Sequence, residues 1–337
     1  MANMVPETVE SLANAPIPWK LWHYTDFNGF CGIVKSKSIY ATNIRYLNDR
    51  EEFNHAIGIA KEMLDEITTK YGDNEPIKTF LPEILAGFFE TGALSPQNTN
   101  IYTASFSLKE DQLSQWRGYS NGSCGVSLGF DLRAFRPPEE AGTLAIFAPC
   151  IYEDQPKSDL VRRAISDFAD RSSALNSKIN DHAATLRSVN EIRKSRPNLT
   201  FKEAAEEQFS ILSKYHLSEL KDAATAMAGR FLRLAALLKH SAFEEEQEWR
   251  FALPIPTNRP PVQNPIKYRS RANTLVPYIE FPLRGKFGDF DGLPLTDIII
   301  GPGAEFETAI DAARGFLVSE GILNVLPRRS RIPYRPW

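Results

Sequence analysis

The hydrophobic pattern of this 337-residue chain switches between two periods. Short runs rich in β-branched and aromatic residues, bounded by turn residues, are typical of strands. The predicted strands lie at 21–24, 38–43, 101–107, 124–131, 144–153, 248–254, 274–281, 297–303 and 324–331. Apolar residues that recur every three or four positions are typical of helices. The predicted helices lie at 27–37, from a turn at 46–53 to about residue 70, at 76–91 and at 304–320.

From about residue 157 to residue 242 the strand signals stop and a helical period takes over. Apolar residues such as Met227 and Phe231 recur at helical spacing through this stretch. We expect two long helices here, broken near Pro197, because proline interrupts a helix.

The order of these elements indicates an α+β protein built on one mixed or antiparallel sheet. The sheet core is expected to comprise residues 20–153 and 243–331. Residues 157–240 are expected to form a large helical insertion whose two ends lie close together. The whole chain, 1–337, is predicted to be a single domain.

Composition and charge narrow the class of protein. With a formal net charge of −3, the protein as a whole does not attract nucleic acid or an anionic membrane electrostatically. Cys31, Cys124 and Cys150 are far apart and form no CxxC pair, which argues against a disulfide framework and a zinc cage. The sequence has no signal-peptide pattern and no apolar run near the ~18 residues that span a bilayer. A cytoplasmic protein with no membrane partner is therefore expected.

The first candidate for chemistry is His23, in the segment WHYT at 22–25. A histidine at the end of a strand, just before a turn into a helix, lies at the edge of a sheet, where clefts form. It is either a structural histidine satisfied by backbone groups or a polar contact that orients a ligand, with Tyr24 or Trp22 as an aromatic wall.

The second candidate is a polar segment between two strands that contains Trp116, Arg117 and Tyr119. A tryptophan in a loop either packs against the edge of the sheet or stacks on a ligand. The nearby glycines would let a ligand approach the backbone, but they match neither GxGxxG nor GxxxxGK[ST].

The third candidate is the segment FEEEQEWRFALP at 243–254. In an extended chain Glu246, Glu248 and Arg250 share one face. Trp249, Phe251 and Leu253 alternate to the other face and are expected to face the core. Two carboxylates beside an arginine form either a surface ladder of ion pairs or a site that stabilises a developing positive charge.

Two common chemistries lack support. The five histidines show no HxxxH spacing and no DxD motif accompanies them, so no metal site is expected. There is also no GxSxG elbow of the kind that carries a hydrolase serine.

Three segments together resemble the domain of unknown function 2971 family. They are, in order, HYTDFNGFCGIVKSKSIYATNIRYLNDREEF, SFSLKEDQLSQWRGYSNGSCGVSLGF and EEEQEWRFAL. The resemblance spans roughly residues 20–303 and breaks over 157–240. Arg50 stands where the family usually has proline, and Gln115 where it usually has methionine.

A looser resemblance links the opening His-Tyr-Thr strand, helix and Ser-Ile-Tyr strand to ADP-ribosyltransferase-type folds, which include DNA-modifying bacterial toxins. This resemblance implies NAD as substrate and no metal. It implies that His23 contacts the nicotinamide ribose, that Tyr40 stacks on nicotinamide, and that Glu248 or Glu246 stabilises the ribosyl cation. The full set of implied NAD contacts is His23, Tyr24, Thr25, Tyr40, Arg45, Trp116, Tyr119 and Arg250. The serine-rich motif common in that class is not evident.

Three hypotheses follow for function. The first is an NAD-dependent ADP-ribosyltransferase or NAD-cleaving enzyme, acting as a toxin or phage-defence effector. The second is a non-catalytic sensor that binds a nucleotide or a partner in the same cleft. The third is a metal-dependent nucleic-acid-processing enzyme. The implied partners are NAD or a related nucleotide, a nucleic-acid or protein acceptor, and an antitoxin or defence-system partner.

Overall fold

The computed structural model describes most of the chain. The described residues are 8–47, 56–60, 62, 66, 99–119, 125–133, 144–174, 189–200, 203–204, 206–207, 210, 214, 218–256, 265–271, 273–283, 285–287, 290–303 and 305–333. The helix expected at 76–91 lies outside the described residues. The helix expected to end near residue 70 is described only at 56–60, 62 and 66, which are helical.

Strands and helices follow one another along the described chain, with two 3₁₀ turns. The strands are β1 (Leu21–Thr25), β2 (Ser38–Asn43), β3 (Thr99–Ser107), β4 (Val126–Phe130), β5 (Ile146–Pro149), β6 (Glu248–Pro256), β7 (Lys267–Arg271), β8 (Thr274–Pro282), β9 (Gly285–Phe287), β10 (Phe290–Gly292), β11 (Leu295–Ile300) and β12 (Pro327–Arg329). The α-helices are α1 (Val9–Ala13), α2 (Phe27–Ser36), α3 (Leu113–Tyr119), α4 (Asp154–Ala174), α5 (Val189–Ser195), α6 (Ser218–Ala235) and α7 (Phe306–Ser319). The 3₁₀ turns are Ile44–Tyr46 and Ser241–Glu246.

Ten of the described strands form one mixed sheet. Its main path runs β12-β11-β4-β1-β3-β2-β8-β7, while β6 pairs with β3 and β5 pairs with β6. The pairing of β11 with β12 is parallel, and the other pairings in this sheet are antiparallel. The predicted α+β class with a mixed sheet is confirmed. Strands β9 and β10 form a separate two-stranded ribbon.

The sheet divides at β3. Strand β6 pairs with β3 along its whole length, from Thr99 to Ser107, and so occupies one edge of that strand. The other edge is shared: β1 pairs with it at Ser107 and β2 pairs with it at Thr103 and Tyr102. Residues 104–106 therefore lie between the starting points of two diverging branches, β1-β4-β11 and β2-β8-β7. We call this place the sheet split.

Helices cover both faces of the sheet, which explains why β6 is buried on both sides. Trp249, Phe251 and Leu253 belong to a core that includes residues of α2 and α7, as their predicted alternation requires. Ala252 points to the other core, which is formed with α1, α4 and α6. Burying a side chain such as Phe251 contributes roughly 1.5–3 kcal/mol relative to leaving it in water.

The stretch between β5 and β6 is helical in its described parts. Met227 and Phe231 of α6 are buried in one core with residues of α4. Helix α5 ends at Ser195, two residues before Pro197, where a break was predicted. An isolated parallel bridge between Ile151 and Leu238 joins the two ends of the stretch, which therefore lie close together as expected. The division of the chain into domains stays a prediction.

Strand β7 was not predicted. Its sequence, KYRSR, lacks an apolar face, and Lys267, Tyr268 and Arg269 are exposed. Its partner β8 supplies the buried positions of the hairpin instead, among them Val276 and Ile279. In the part of the chain that the structure describes, no helix has both the length and the apolar character needed to cross a membrane.

Candidate functional site

A small cavity opens beside the sheet split, between the strands and helix α3. Its volume is about 40 Å³. It is lined by Trp22, His23, Tyr24, Ser105, Phe106, Ser107, Gln115, Tyr119, Glu246 and Glu248. We call it the inner cavity. His23 and Glu248, which are far apart in the sequence, therefore share one cavity.

His23 lies at the split. Its Nδ1 is 2.9 Å from the carbonyl oxygen of Ser105, one of the β3 residues between the two branches. Because a carbonyl can only accept, Nδ1 donates this bond, and the neutral ring then presents Nε2 as an acceptor. Burial lowers the pKa of His23, the bond to Ser105 acts to raise it, and the nearby charge of Arg269 lowers it further. His23 is therefore neutral at pH 7.

Glu248 begins β6 and is almost completely buried, at 3% exposed. Arg250 donates to both of its oxygens, from Nε to Oε1 at 2.6 Å and from its second guanidinium nitrogen to Oε2 at 3.0 Å. Lys239 Nζ donates to Oε2 at 2.6 Å. Burial acts to raise the pKa of Glu248, but the charges of Arg250 and Lys239 outweigh it and hold the pKa at about 2. Glu248 is thus ionised.

Glu246 reaches the same cavity by a different route from the predicted one. It ends the 3₁₀ turn, and Gln247 has a left-handed backbone with φ of 43°. The prediction of one extended strand through both glutamates is therefore wrong. The two carboxylates still come together, because Lys239 Nζ also donates to Glu246 Oε2 at 2.6 Å.

The side of β6 that carries Glu248 and Arg250 is not an open face. Arg250 is 2% exposed, and its NH1 donates to the carbonyl oxygen of Ala236 at 2.9 Å. The residues after α6 cover this side, so the alternative of a surface ladder of ion pairs is wrong for these two residues. Lys239, Glu246, Glu248 and Arg250 form what we call the ion cluster.

Trp116 and Tyr119 lie on a helix, not in a loop as expected. Helix α3 places Tyr119 in the wall of the inner cavity. Burial of its phenol, together with the negative charges of Glu248 and Glu246, raises the pKa of Tyr119. Its hydroxyl therefore stays protonated at neutral pH.

Trp116 does not line the inner cavity. Its ring packs edge-on against Tyr24, with the ring centroids 4.9 Å apart. Its Nε1–H donates to Asp111 Oδ1 at 2.7 Å. The core-packing alternative therefore describes Trp116 better than the stacking one.

Tyr24 fixes the segment that leads into α3. Its hydroxyl donates to the carbonyl oxygen of Lys109 at 2.8 Å and accepts from the N–H of Gln112 at 3.0 Å. Burial raises the pKa of this phenol, so the hydroxyl keeps the proton that it donates. Thr25 pairs with Val126 at the end of β1 and is not among the residues that line the inner cavity.

Tyr40 and Arg45 lie outside the inner cavity. Tyr40 stacks on Tyr278, with ring centroids 4.3 Å apart, and Arg269 lies over both rings. Arg269 also donates to Thr42 Oγ1 at 3.1 Å. The expectation that Tyr40 joins His23 in one pocket is thus not met by the described contacts, although Arg269 is near enough to His23 to lower its pKa.

A larger cavity adjoins the inner one. Its volume is about 540 Å³, and it lies between α3 and the 3₁₀ turn that ends at Glu246. Tyr119 and Glu246 line both cavities, while Arg117 and Phe243 belong to the larger one. We call it the outer cavity.

Several residues of the site were not predicted from the sequence, among them Lys239, Gln115 and Ser105. Lys239 stands alone at the end of a helical stretch, and Ser105 contributes its backbone. Gln115 was noted only as a family difference, yet it is 5% exposed and lines the inner cavity. Among the described residues, no three His, Cys, Asp or Glu side chains form a group that could hold a metal ion.

Fold and site together describe an α+β protein with a split mixed sheet and a buried ion cluster beside a small cavity. Residues 115–251 match the model of a family described as Protein of unknown function (DUF2971). The predicted resemblance to that family is confirmed over this stretch, which includes most of α3 and all four residues of the ion cluster. The match also extends across 157–240, where the resemblance was expected to break. No curated protein and no solved structure matches the chain.

Proposed function

We propose that this protein is an NAD-dependent ADP-ribosyltransferase or NAD-cleaving enzyme, acting as a toxin or phage-defence effector. The observation that carries the proposal is the meeting of His23 and Glu248 in one cavity at the sheet split. Together they offer a neutral hydrogen-bond acceptor and an ionised carboxylate in one small space.

In the proposed reaction the bond between nicotinamide and ribose breaks, and its electron pair leaves with the nicotinamide nitrogen. The ribose carbon develops oxocarbenium character, which the charge of Glu248 stabilises. Nε2 of His23 accepts a hydrogen bond from a ribose hydroxyl. Water or an acceptor then forms the new bond to the ribose carbon and releases its proton to solvent.

The sizes of the two cavities suit a substrate of which one part enters the inner cavity and the rest stays in the outer cavity. The inner cavity, at about 40 Å³, admits only the reacting groups. The outer cavity, at about 540 Å³, provides the room that the remainder of a nucleotide needs. Tyr119 stands in the wall that both cavities share and would contact the ligand on either side.

The test is nicotinamide release from NAD by the purified protein, with and without nucleic-acid and protein acceptors. Glu248→Gln should lower turnover on the order of 10²-fold or more, while NAD binding changes little. Glu280→Gln is the matched control, because Glu280 pairs with Lys267 at the surface and lies outside both cavities. His23→Gln, which leaves the ion cluster intact, should also lower turnover. Wild-type protein that releases no nicotinamide under any of these conditions would refute the proposal.

One observation favours a non-catalytic sensor as the second candidate. Both oxygens of Glu248 already accept hydrogen bonds, from Arg250 and from Lys239. A carboxylate held in this way can shape a binding site without acting on a ligand. Under this alternative, calorimetry detects NAD or a related nucleotide binding while nicotinamide release stays absent.

The metal-dependent alternative has less support. Lys239 Nζ lies between the carboxylates of Glu246 and Glu248, at 2.6 Å from each. That is the place which a metal ion bridging the two carboxylates would need.

A further inference from the structure

Lys239 combines deep burial with a fixed backbone. Its side chain is 1% exposed. Its N–H donates to the carbonyl oxygen of Ile151 at 2.9 Å, and the N–H of Ile151 donates to Leu237 at 2.9 Å. The bridge that closes the helical stretch therefore sets the point from which the lysine side chain reaches into the ion cluster.

The lysine ammonium is also the group that joins the two cavity carboxylates. Arg250 binds Glu248, which lies two positions before it on β6. Glu246 belongs to a separate turn, and Lys239 contacts both carboxylates at 2.6 Å. Its ammonium also lies 5.0 Å from the centroid of the Phe243 ring, which is a favourable position for a cation.

Two carboxylates at such close quarters repel each other when no cation lies between them. One of them then takes up a proton at a higher pH, as in other carboxylate pairs. Burial acts to lower the pKa of Lys239, but the charge of Glu248 outweighs burial and raises it, so the ammonium persists. The charged Lys239 side chain thus offsets the repulsion between the carboxylates of Glu246 and Glu248, because it lies between them.

We infer that Lys239 is a positioning residue that keeps Glu246 and Glu248 ionised and correctly spaced in the inner cavity. The inference rests on the proposed function for its role in turnover. Among the described residues, the charged and titratable groups around the two carboxylates include Arg250 on β6, Lys239 after α6, Tyr119 on α3, His23 on β1, and Cys150 and Tyr152 after β5. Of these, Lys239 is the one that contacts both carboxylates in the described structure.

The experiment compares Lys239→Met, which keeps the length but removes the charge, with Lys239→Arg, which retains it. Lys157→Met is the matched control, because Lys157 is equally buried at 1% but pairs with Asp154 on α4, away from both cavities. Nicotinamide release is measured against pH for each protein, with kcat and KM separated. In Lys239→Met, the pH at which kcat falls on the acidic side of its profile should rise by about 1–3 units. It should move less in Lys239→Arg and stay in place in Lys157→Met.

A second readout does not depend on turnover. Infrared spectra of Lys239→Met at mildly acidic pH should show a protonated carboxyl band that wild type and Lys157→Met lack. A Lys239→Met protein without this band, or with a wild-type pH profile, would overturn the inference while leaving the proposed function intact. Wild-type protein without turnover would refute the proposed function. In that case the infrared result would still decide whether Lys239 holds the carboxylates ionised.

Discussion

Replacing Glu248 with glutamine should destabilise the folded protein strongly. The fall in the pKa of Glu248 from 4.5 to about 2 corresponds to roughly 3 kcal/mol, at about 1.4 kcal/mol per unit. Removing one partner from a buried ion pair costs about 3–5 kcal/mol in general, which agrees. The glutamine amide would also turn a donor toward Arg250 or Lys239, which are donors themselves. We expect a loss of about 3 kcal/mol in the free energy of unfolding at pH 7.

The pH dependence of this loss separates charge from shape. The folded-state pKa of Glu248 lies below the unfolded-state value, so its stabilising effect is fully present above pH 4.5 and is lost as the pH falls toward 2. About 2 kcal/mol of it should be gone by pH 3. Urea unfolding of wild type and Glu248→Gln across this range should therefore give curves that converge on the acid side.

The control for this measurement is Glu280→Gln. Glu280 is 31% exposed and pairs with Lys267 on the sheet surface, where such pairs contribute about 0–1 kcal/mol. A Glu248→Gln loss no larger than that of Glu280→Gln would show that the ion cluster does not hold Glu248 as described. A large loss that stays constant with pH would assign the effect to packing instead of charge.

Four further substitutions test other parts of the structure. Asp111→Ala removes the acceptor for the Trp116 indole N–H and should lower the free energy of unfolding by about 1–3 kcal/mol in urea titrations, with a null effect refuting the buried bond. Gly301→Ala would place a Cβ 2.9 Å from the Trp116 ring and should cost about 1–3 kcal/mol by the same measurement. Gly315→Ala, where the new methyl has open space within a helix, should instead stabilise by up to about 1 kcal/mol. The lowered pKa of His23 means that the unfolded chain binds the extra proton, so wild-type stability should rise with pH up to about 6.5 and rise less in His23→Gln.

The strands of the core could be predicted because their apolar residues alternate and are flanked by turn residues. On β6 the alternation of Trp249, Phe251 and Leu253 gave the correct buried face. The same rule failed at Glu246, because alternation assumes an extended backbone and Gln247 adopts a left-handed one. The left-handed conformation of Gln247 could not be predicted from its residue type, because glutamine rarely adopts it.

Helix α3 could not be recognised from its sequence. It has seven residues, and a helical period needs a window of about 11–18 to stand out. Its position is set by tertiary contacts, such as those of the Tyr24 hydroxyl with Lys109 and Gln112. For the same reason Tyr119 was expected in a loop, whereas it lies on the helix and lines the inner cavity.

Lys239 shows why residue-type reasoning finds only part of a buried charge network. An ion pair between residues that are close in the sequence, such as Glu248 and Arg250, can be predicted from the sequence. Lys239 is nine positions before Glu248 in the sequence. It contacts Glu248 because the bridge between Ile151 and Leu238 holds this part of the chain beside β6. Such a contact depends on topology, and the topology here was predicted only in outline.

The charge balance of the ion cluster constrains where chemistry can take place. Glu246 and Glu248 carry two negative charges, and Lys239 and Arg250 carry two positive ones, so the cluster is neutral as a whole. A ligand at a distance from it therefore feels little net field. A developing cation is stabilised only where it lies nearer to the carboxylate oxygens than to the two cations, since Coulomb energy falls with distance.

The inner cavity meets that condition. Glu246 and Glu248 line it, whereas Lys239 and Arg250 are not among the residues that line it. A ribose held there against His23 would lie next to the two carboxylates. A nucleotide that stays in the outer cavity would bind without this stabilisation. Under the proposed function, entry of the ribose into the inner cavity is thus the step that separates an enzyme from a sensor built on the same site.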